Sequence, residues 1–168
     1  AVRATLGDGF PILCKINLTD GFKGGLEIED AIGVATALES AGANALVLSG
    51  GFTSKNALFL LRGGRPLKQM IEVEKSPTQK LALRAFGSVV VRQFPFEEMF
   101  FLDLAKRIRE AVTMPLALLG GIVSIDNVTS AMEAGCELVG AGRPFIHDPA
   151  FVNNLASGEV TRSGCNQC

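Results

Sequence analysis

The 168-residue chain has no tyrosine, no tryptophan and one histidine, and its charges almost cancel, 16 lysines and arginines against 17 acids for a net charge of -1. A near-neutral chain without an aromatic stacking platform lacks the footprint of a nucleic-acid binder. Lys55, Arg62, Arg65, Lys68, Lys75, Lys80, Arg84 and Arg92 are interspersed with Glu72 and Glu74, the pattern of a solvated face. No apolar run approaches the roughly 20 residues of a membrane-spanning helix, and no signal-peptide pattern opens the chain. His147 has no partner nucleophile, so it reads as part of a surface loop opening the last helix. No catalytic residue and no metal site are assigned to this chain. Free cysteines and the lack of a targeting segment point to the cytoplasm.

What the chain has in quantity is apolar side chains, 48% of the sequence, and 19 glycines. The glycines are most informative in two turns near the C-terminal end, Leu118-Leu119-Gly120-Gly121-Ile122 and Leu138-Val139-Gly140-Ala141-Gly142-Arg143-Pro144-Phe145. Each follows a short apolar run that reads as a buried parallel strand, and each leads into a helix. Backbone free of side chains at two adjacent strand ends is a phosphate cradle, because amide N–H groups must approach an anion closely. The alternative is that these glycines serve only tight turns and close packing.

The strand-helix repeat runs back through the chain. Strands are expected over Pro11 to Asn17, Ala45 to Ser49, Pro115 to Leu119 and Leu138 to Ala141. Helices are marked by Ile28, Ile32, Ala35 and Leu38, stopped by Gly42, and by Phe101, Leu104, Ala105, Ile108 and Val112. A further helix is capped by Ser124, carries Asp126 in its first turn and is closed by Gly135. Strands apolar on both faces belong in a parallel α/β sheet with right-handed crossovers. Four such units make half of a (β/α)8 barrel, which usually needs about 250 residues. The chain is therefore expected to be a piece of a larger barrel, with an open sheet as the alternative. Ala1 to Gly7 reads as the end of a helix, which favours the piece.

The run from Phe10 to Asp20, the Leu48-Ser49-Gly50-Gly51 turn, Phe96 to Phe101, Pro115 to Ile122, Ala131 to Gly135 and Gly142 to Pro149 together resemble the C-terminal half-barrel of the old yellow enzyme family of NADH:flavin oxidoreductases. The resemblance implies strands five to eight of the parent barrel, FMN at the barrel mouth, hydride from NADH or NADPH, and an activated alkene as acceptor. It places the phosphate contacts on Gly120, Gly121, Gly142 and Arg143. Arg143 would add a charge-assisted contact or lay its guanidinium near the flavin. It also places Lys15 at the N1 and C2 carbonyl edge of the flavin, where a cation stabilises the reduced anion. Strand alternation sends Leu13, Lys15 and Asn17 to one face and Ile12, Cys14 and Ile16 to the other, toward helices. A lysine snorkelling to solvent is the alternative. The family's His-His or His-Asn pair and tyrosine belong to the first half of the barrel, so this chain is expected to lack the alkene-reducing site. A non-catalytic phosphate-binding half-barrel, or another phosphate-binding barrel enzyme, remains open.

Residues 52–95 read as an insertion after the second strand, a lid or a subunit contact, with a helix from Thr78 to Arg92 whose Leu81, Leu83, Phe86, Val89 and Val90 are partly buried. Cys14 and Cys136 read as small core residues. Cys165-Asn166-Gln167-Cys168 has the spacing of part of an iron-sulfur motif found in some relatives of the family, but Arg162 stands where a preceding cysteine would be needed. Four strands alone would leave two edges and an inner face of leucine and valine in water, so pairing of two copies into a homo-oligomer is expected.

Overall fold

A computed structural model describes residues 1–56, 58–64 and 66–167. Ala57, Arg65 and Cys168 lie outside the described residues, and with them part of the basic series and of the Cys165-Cys168 motif. A short helix, α1 (Val2–Leu6), precedes β1 (Leu13–Asn17), α2 (Ile28–Ser40) and β2 (Ala45–Ser49). The long connection holds α3 (Thr53–Asn56), α4 (Leu67–Val73) and α5 (Pro77–Val90). The chain returns through α6 (Leu102–Ala111), β3 (Leu116–Leu119), α7 (Ile125–Glu133), β4 (Leu138–Gly140), α8 (Arg143–His147) and α9 (Phe151–Ser157).

The four strands form one parallel sheet in the order β1-β2-β3-β4, the half-barrel arrangement expected from the repeat. Register decides which side chains share a face, because paired residues of parallel strands point the same way. Lys15, Val47, Ala117 and Leu138 form one row, and Ile16, Leu48, Leu118 and Val139 form the next, on the opposite face. Helices cover the second face and not the first, where Ala45, Ser49 and Ala117 are nonetheless buried. Ile16, Leu46, Leu48, Leu116 and Leu118 pack with Ala31 and Ala35 of α2, and with Ala105 and Ile108 of α6. Each fully buried leucine stabilises the fold by about 1.5–3 kcal/mol. On the first face Leu13 stays 58% and Leu138 49% exposed.

Local chemistry sets the element ends. Ser124 and Asn127 form a reciprocal capping box at the start of α7, with Asp126 in the first turn. Gly42 and Gly135 follow α2 and α7 at φ 86°, a conformation that costs a side-chain-bearing residue about 1–2 kcal/mol. Arg3 fixes α1 to the turn before β2 by donating to Gly42 O at 2.7 Å and Asn44 Oδ1 at 2.5 Å.

Two expectations need correction. The helix over 77–90 forms, but Phe86 is 65% and Val89 83% exposed, and Leu81 and Val90 are exposed too; Gly87, against Leu67 of α4, is its buried position. Seven-residue α4 is too short to cover a fourteen-residue partner, so the apolar stripe stays in water. His147 closes α8 rather than lying in a loop that opens the last helix. Pro144, in the first turn of α8, pre-sets the helical φ and starts a separate helix there.

Candidate functional site

The loops after β3 and β4 meet at the C-terminal edge of the sheet around a cavity of about 370 Å³. Gly120, Gly121, Gly142 and Arg143 all line it, so the structure brings together four of the five residues singled out in the sequence. Leu60 and Leu61, from the long connection, and Gln167 complete its wall.

The glycines differ in what they are for. Gly120 and Gly121 have φ 95° and 76°. A Cβ on Gly120 would lie 2.7 Å from the Phe100 ring, and one on Gly121 would lie 2.7 Å from Met99 N. At Gly140 it would run into Leu119. Turn geometry and packing account for those three. Gly142 has φ -110°, open to any residue, and a Cβ there would meet nothing within 4 Å. It stands at the N-cap of α8, where the first amides of a helix lack acceptors within it. Of the four, Gly142 is the glycine whose missing side chain leaves room in the cavity without serving the fold.

Arg143 directs Nη1 at two backbone carbonyls, donating to Arg62 O at 2.7 Å and Gln167 O at 3.2 Å, and its guanidinium lies 5.6 Å from the centre of the Phe96 ring. Around it two adjacent carboxylates hold two distant segments. Glu97 pairs with Arg62 at 2.6 Å, and the Arg62 guanidinium stacks over Phe100 at 4.3 Å. Glu98 pairs with Arg162 and accepts from Asn127 Nδ2 at 2.7 Å. The Arg162 guanidinium, then the Asn127 amide, hold the Glu98 carboxyl below the usual carboxylate range.

Lys15 is exposed on the face without helices, in the row of Val47, Ala117 and Leu138 and two residues short of Asn17 at the strand end. It is two strands from β3, roughly 10 Å at about 4.8 Å per strand. Lys15 is therefore on the same face as the strand ends that carry the cradle but is not part of the cavity wall. Asn17, beside it, donates to Asp20 Oδ1 at 3.0 Å and Gly51 O at 2.9 Å. The Ser49 hydroxyl, in register with Asn17, is buried with no partner among the described residues.

Sequence reasoning did not find Leu60, Leu61 and Gln167, nor the Glu97 and Glu98 pairs. The first three come from segments far from the cradle in sequence, with no local pattern to mark them. The adjacent glutamates in Phe96-Glu97-Glu98-Met99 were visible but gave no hint that they diverge to different arginines.

The chain is 33% identical over 169 residues to 4,4'-dithiodibutanoate disulfide reductase of Rhodococcus erythropolis, an alignment covering 100% of this chain and 42% of that protein. It is 38% identical over 71 residues to bilirubin reductase of Mediterraneibacter gnavus, covering 41% of this chain and 11% of the relative. The chain has reductases for relatives. The chain is also 26% identical over 93 residues, 55% of its length and 35% of the other protein, to the HisF subunit of imidazole glycerol phosphate synthase from Pyrobaculum aerophilum. No family model matches it. It spans about two-fifths of the disulfide reductase and about a tenth of the bilirubin reductase. Among the described residues no helix is long and apolar enough to cross a membrane.

Proposed function

We propose that this chain is the FMN-holding half of an NAD(P)H-dependent flavin oxidoreductase of the old yellow enzyme kind, working in the cytoplasm as part of a longer protein. The carrying observation is the cavity at the ends of β3 and β4, where Gly142 leaves space that a Cβ would fill and that no packing within the chain demands. A cavity of about 370 Å³ has room for a phosphate and part of its sugar chain, and its glycine-rich backbone suits an anion. Lys15, exposed on the sheet face without helices, would supply positive charge toward the bound group. Bound FMN would supply hydride transfer from a nicotinamide to an electron-poor acceptor.

The chain's own residues bind and orient. Gly120, Gly121 and Gly142 expose backbone to the phosphate, Arg143 holds the wall, and Lys15 offers positive charge across the face. An activated alkene follows from the family resemblance, whereas the relatives are named for a disulfide and for bilirubin. The groups that anchor the acceptor would come from outside this chain.

A second reading has one observation of its own: the likeness to a subunit of a synthase named for imidazole glycerol phosphate. In that reading the same cradle holds a sugar phosphate and Lys15 has no flavin to face. Titration of the purified chain with FMN, inorganic phosphate and ribose 5-phosphate separates the two. Quenched flavin fluorescence and tighter binding of FMN than of either phosphate support the flavin reading; equal affinity for all three, without quenching, refutes it.

A further inference from the structure

We propose that Arg143 is a positioning residue: it clasps residues 62–64 to residues 161–167 and so builds the outer wall of the cavity from two segments distant in sequence. The identity of the bound anion rests on the flavin reading; the clasp itself does not.

Residues 161–167 run across both loops of the cradle. Ile125 N donates to Thr161 O at 2.9 Å, Ser124 and Arg162 form an antiparallel bridge, and Ser163 N donates to Val123 O at 2.8 Å. Gly164 then passes the His147 ring so closely that a Cβ would lie 3.0 Å from Nε2. Gln167, 8% exposed and at φ 58°, brings its carbonyl to Arg143 Nη1 and to Gly64 N at 3.3 Å. A side chain on Gly63 would collide with that carbonyl, so the two segments touch backbone to backbone. Their outer ends are tied separately, Arg62 to Glu97 and Arg162 to Glu98.

The geometry explains why an arginine is needed here. Arg62 O and Gln167 O converge on one nitrogen at the cavity rim. Without a cation between them, two carbonyl dipoles would oppose each other and would face any phosphate in the cradle. Nη1 gives an N–H to each oxygen and cancels their field while the guanidinium plane lies 5.6 Å from the centre of the Phe96 ring, whereas a lysine ammonium, a compact point charge on a shorter flexible stem, has no planar group to hold it there. On this account the side chain serves the anion indirectly, by keeping the wall closed, while the approach to the phosphate belongs to backbone at Gly142.

Hydrogen exchange on the full 168-residue chain, read by mass spectrometry without ligand, tests the clasp for the wild type, Arg143→Lys and Glu98→Gln. Arg143→Lys keeps the charge but loses the fit, and is expected to speed amide exchange in 62–64 and 161–167 together by about tenfold to a hundredfold, the range for losing a charged hydrogen bond. Glu98→Gln, which removes the partner of Arg162 and Asn127, should speed exchange over 161–167 and at the start of α7 but not over 62–64. Both variants should weaken FMN binding, measured by fluorescence quenching. Unchanged exchange in Arg143→Lys, with FMN affinity reduced, would overturn the proposal by showing that the arginine acts on the anion directly. Faster exchange combined with no FMN binding by the wild type would uphold the clasp and remove the flavin reading.

Discussion

Replacing Gly121 and Gly142 one at a time separates a glycine that serves the fold from one proposed to serve a ligand. At Gly121 an alanine must adopt φ 76° and place its Cβ 2.7 Å from Met99 N. The left-handed conformation and the forced contact together cost about 2–5 kcal/mol. For a chain of this size that lowers Tm by roughly 4–20 °C, a large part of ordinary stability. At Gly142 the backbone is already at φ -110° with no atom within 4 Å of the new Cβ. Alanine there should be within about 1 kcal/mol of neutral, and less freedom in the unfolded chain can even stabilise it. Ligand reverses the order of interest. Saturating FMN or phosphate should raise the wild-type Tm by mass action, by about 2.7 kcal/mol at a hundred times Kd. Gly142→Val should lose that rise, because a branched side chain occupies the anion's place. Differential scanning fluorimetry with and without ligand gives all these numbers. A Gly142→Val variant that keeps the full rise would refute the cradle; one that unfolds without ligand would refute the claim that Gly142 is free of packing.

Three further outcomes follow from the same geometry. In an FMN-loaded longer protein, Lys15→Ala should leave the flavin bound but harder to reduce, and identical midpoint potentials in a redox titration would remove Lys15 from the flavin edge. The face without helices and two open sheet edges should make the isolated chain associate at micromolar concentration, visible by light scattering; Leu138→Lys should reduce association without loss of cooperative unfolding, and a wild-type monomer at all concentrations would contradict this. The depressed Glu98 carboxyl stabilises the segment around Arg162 above the ordinary glutamate value of about 4.3, and that contribution is lost as pH falls through the lower folded value. Protection of the amides over 161–167, with exchange corrected for its intrinsic slowing at low pH, should therefore fall on acidification in the wild type, and Glu98→Gln should flatten that response.

The strands were legible because a buried parallel strand is a short apolar run with few alternatives. Ala45-Leu46-Val47-Leu48-Ser49 could be little else, and its observed ends match. Alternation along Leu13-Cys14-Lys15-Ile16 gave the correct faces because burial on one side is strong enough to set them. The apolar stripe of α5 misled for the converse reason. Periodicity reports which face would gain from burial, and it contains nothing about whether a partner is long enough to cover it. In the cavity the glycines were legible and the wall was not. Gly120 and Gly142 sit beside recognisable strand ends, whereas Gln167 reaches the site through carbonyl contacts that any residue type can make.

The longest connection in the sheet joins its two middle strands. Between Ser49 and Leu116 the chain runs more than twice as far as between Asn17 and Ala45, and each doubling adds only about 0.6 kcal/mol of closure entropy. A single cut between α4 and α5 would leave β1 and β2 on one piece and β3 and β4 on the other. Each piece would keep a strand pair and a helix to pack on it, α2 on the first and α6 on the second. The seam between them is the β2-β3 ladder together with the α2-α6 contact and the ion pair of Arg107 with Glu29. Two separately expressed pieces therefore carry a matched interface and should reassemble into the same sheet. The cavity, however, draws Leu60 from the first piece and Gly142 from the second, so binding would return only when both are present.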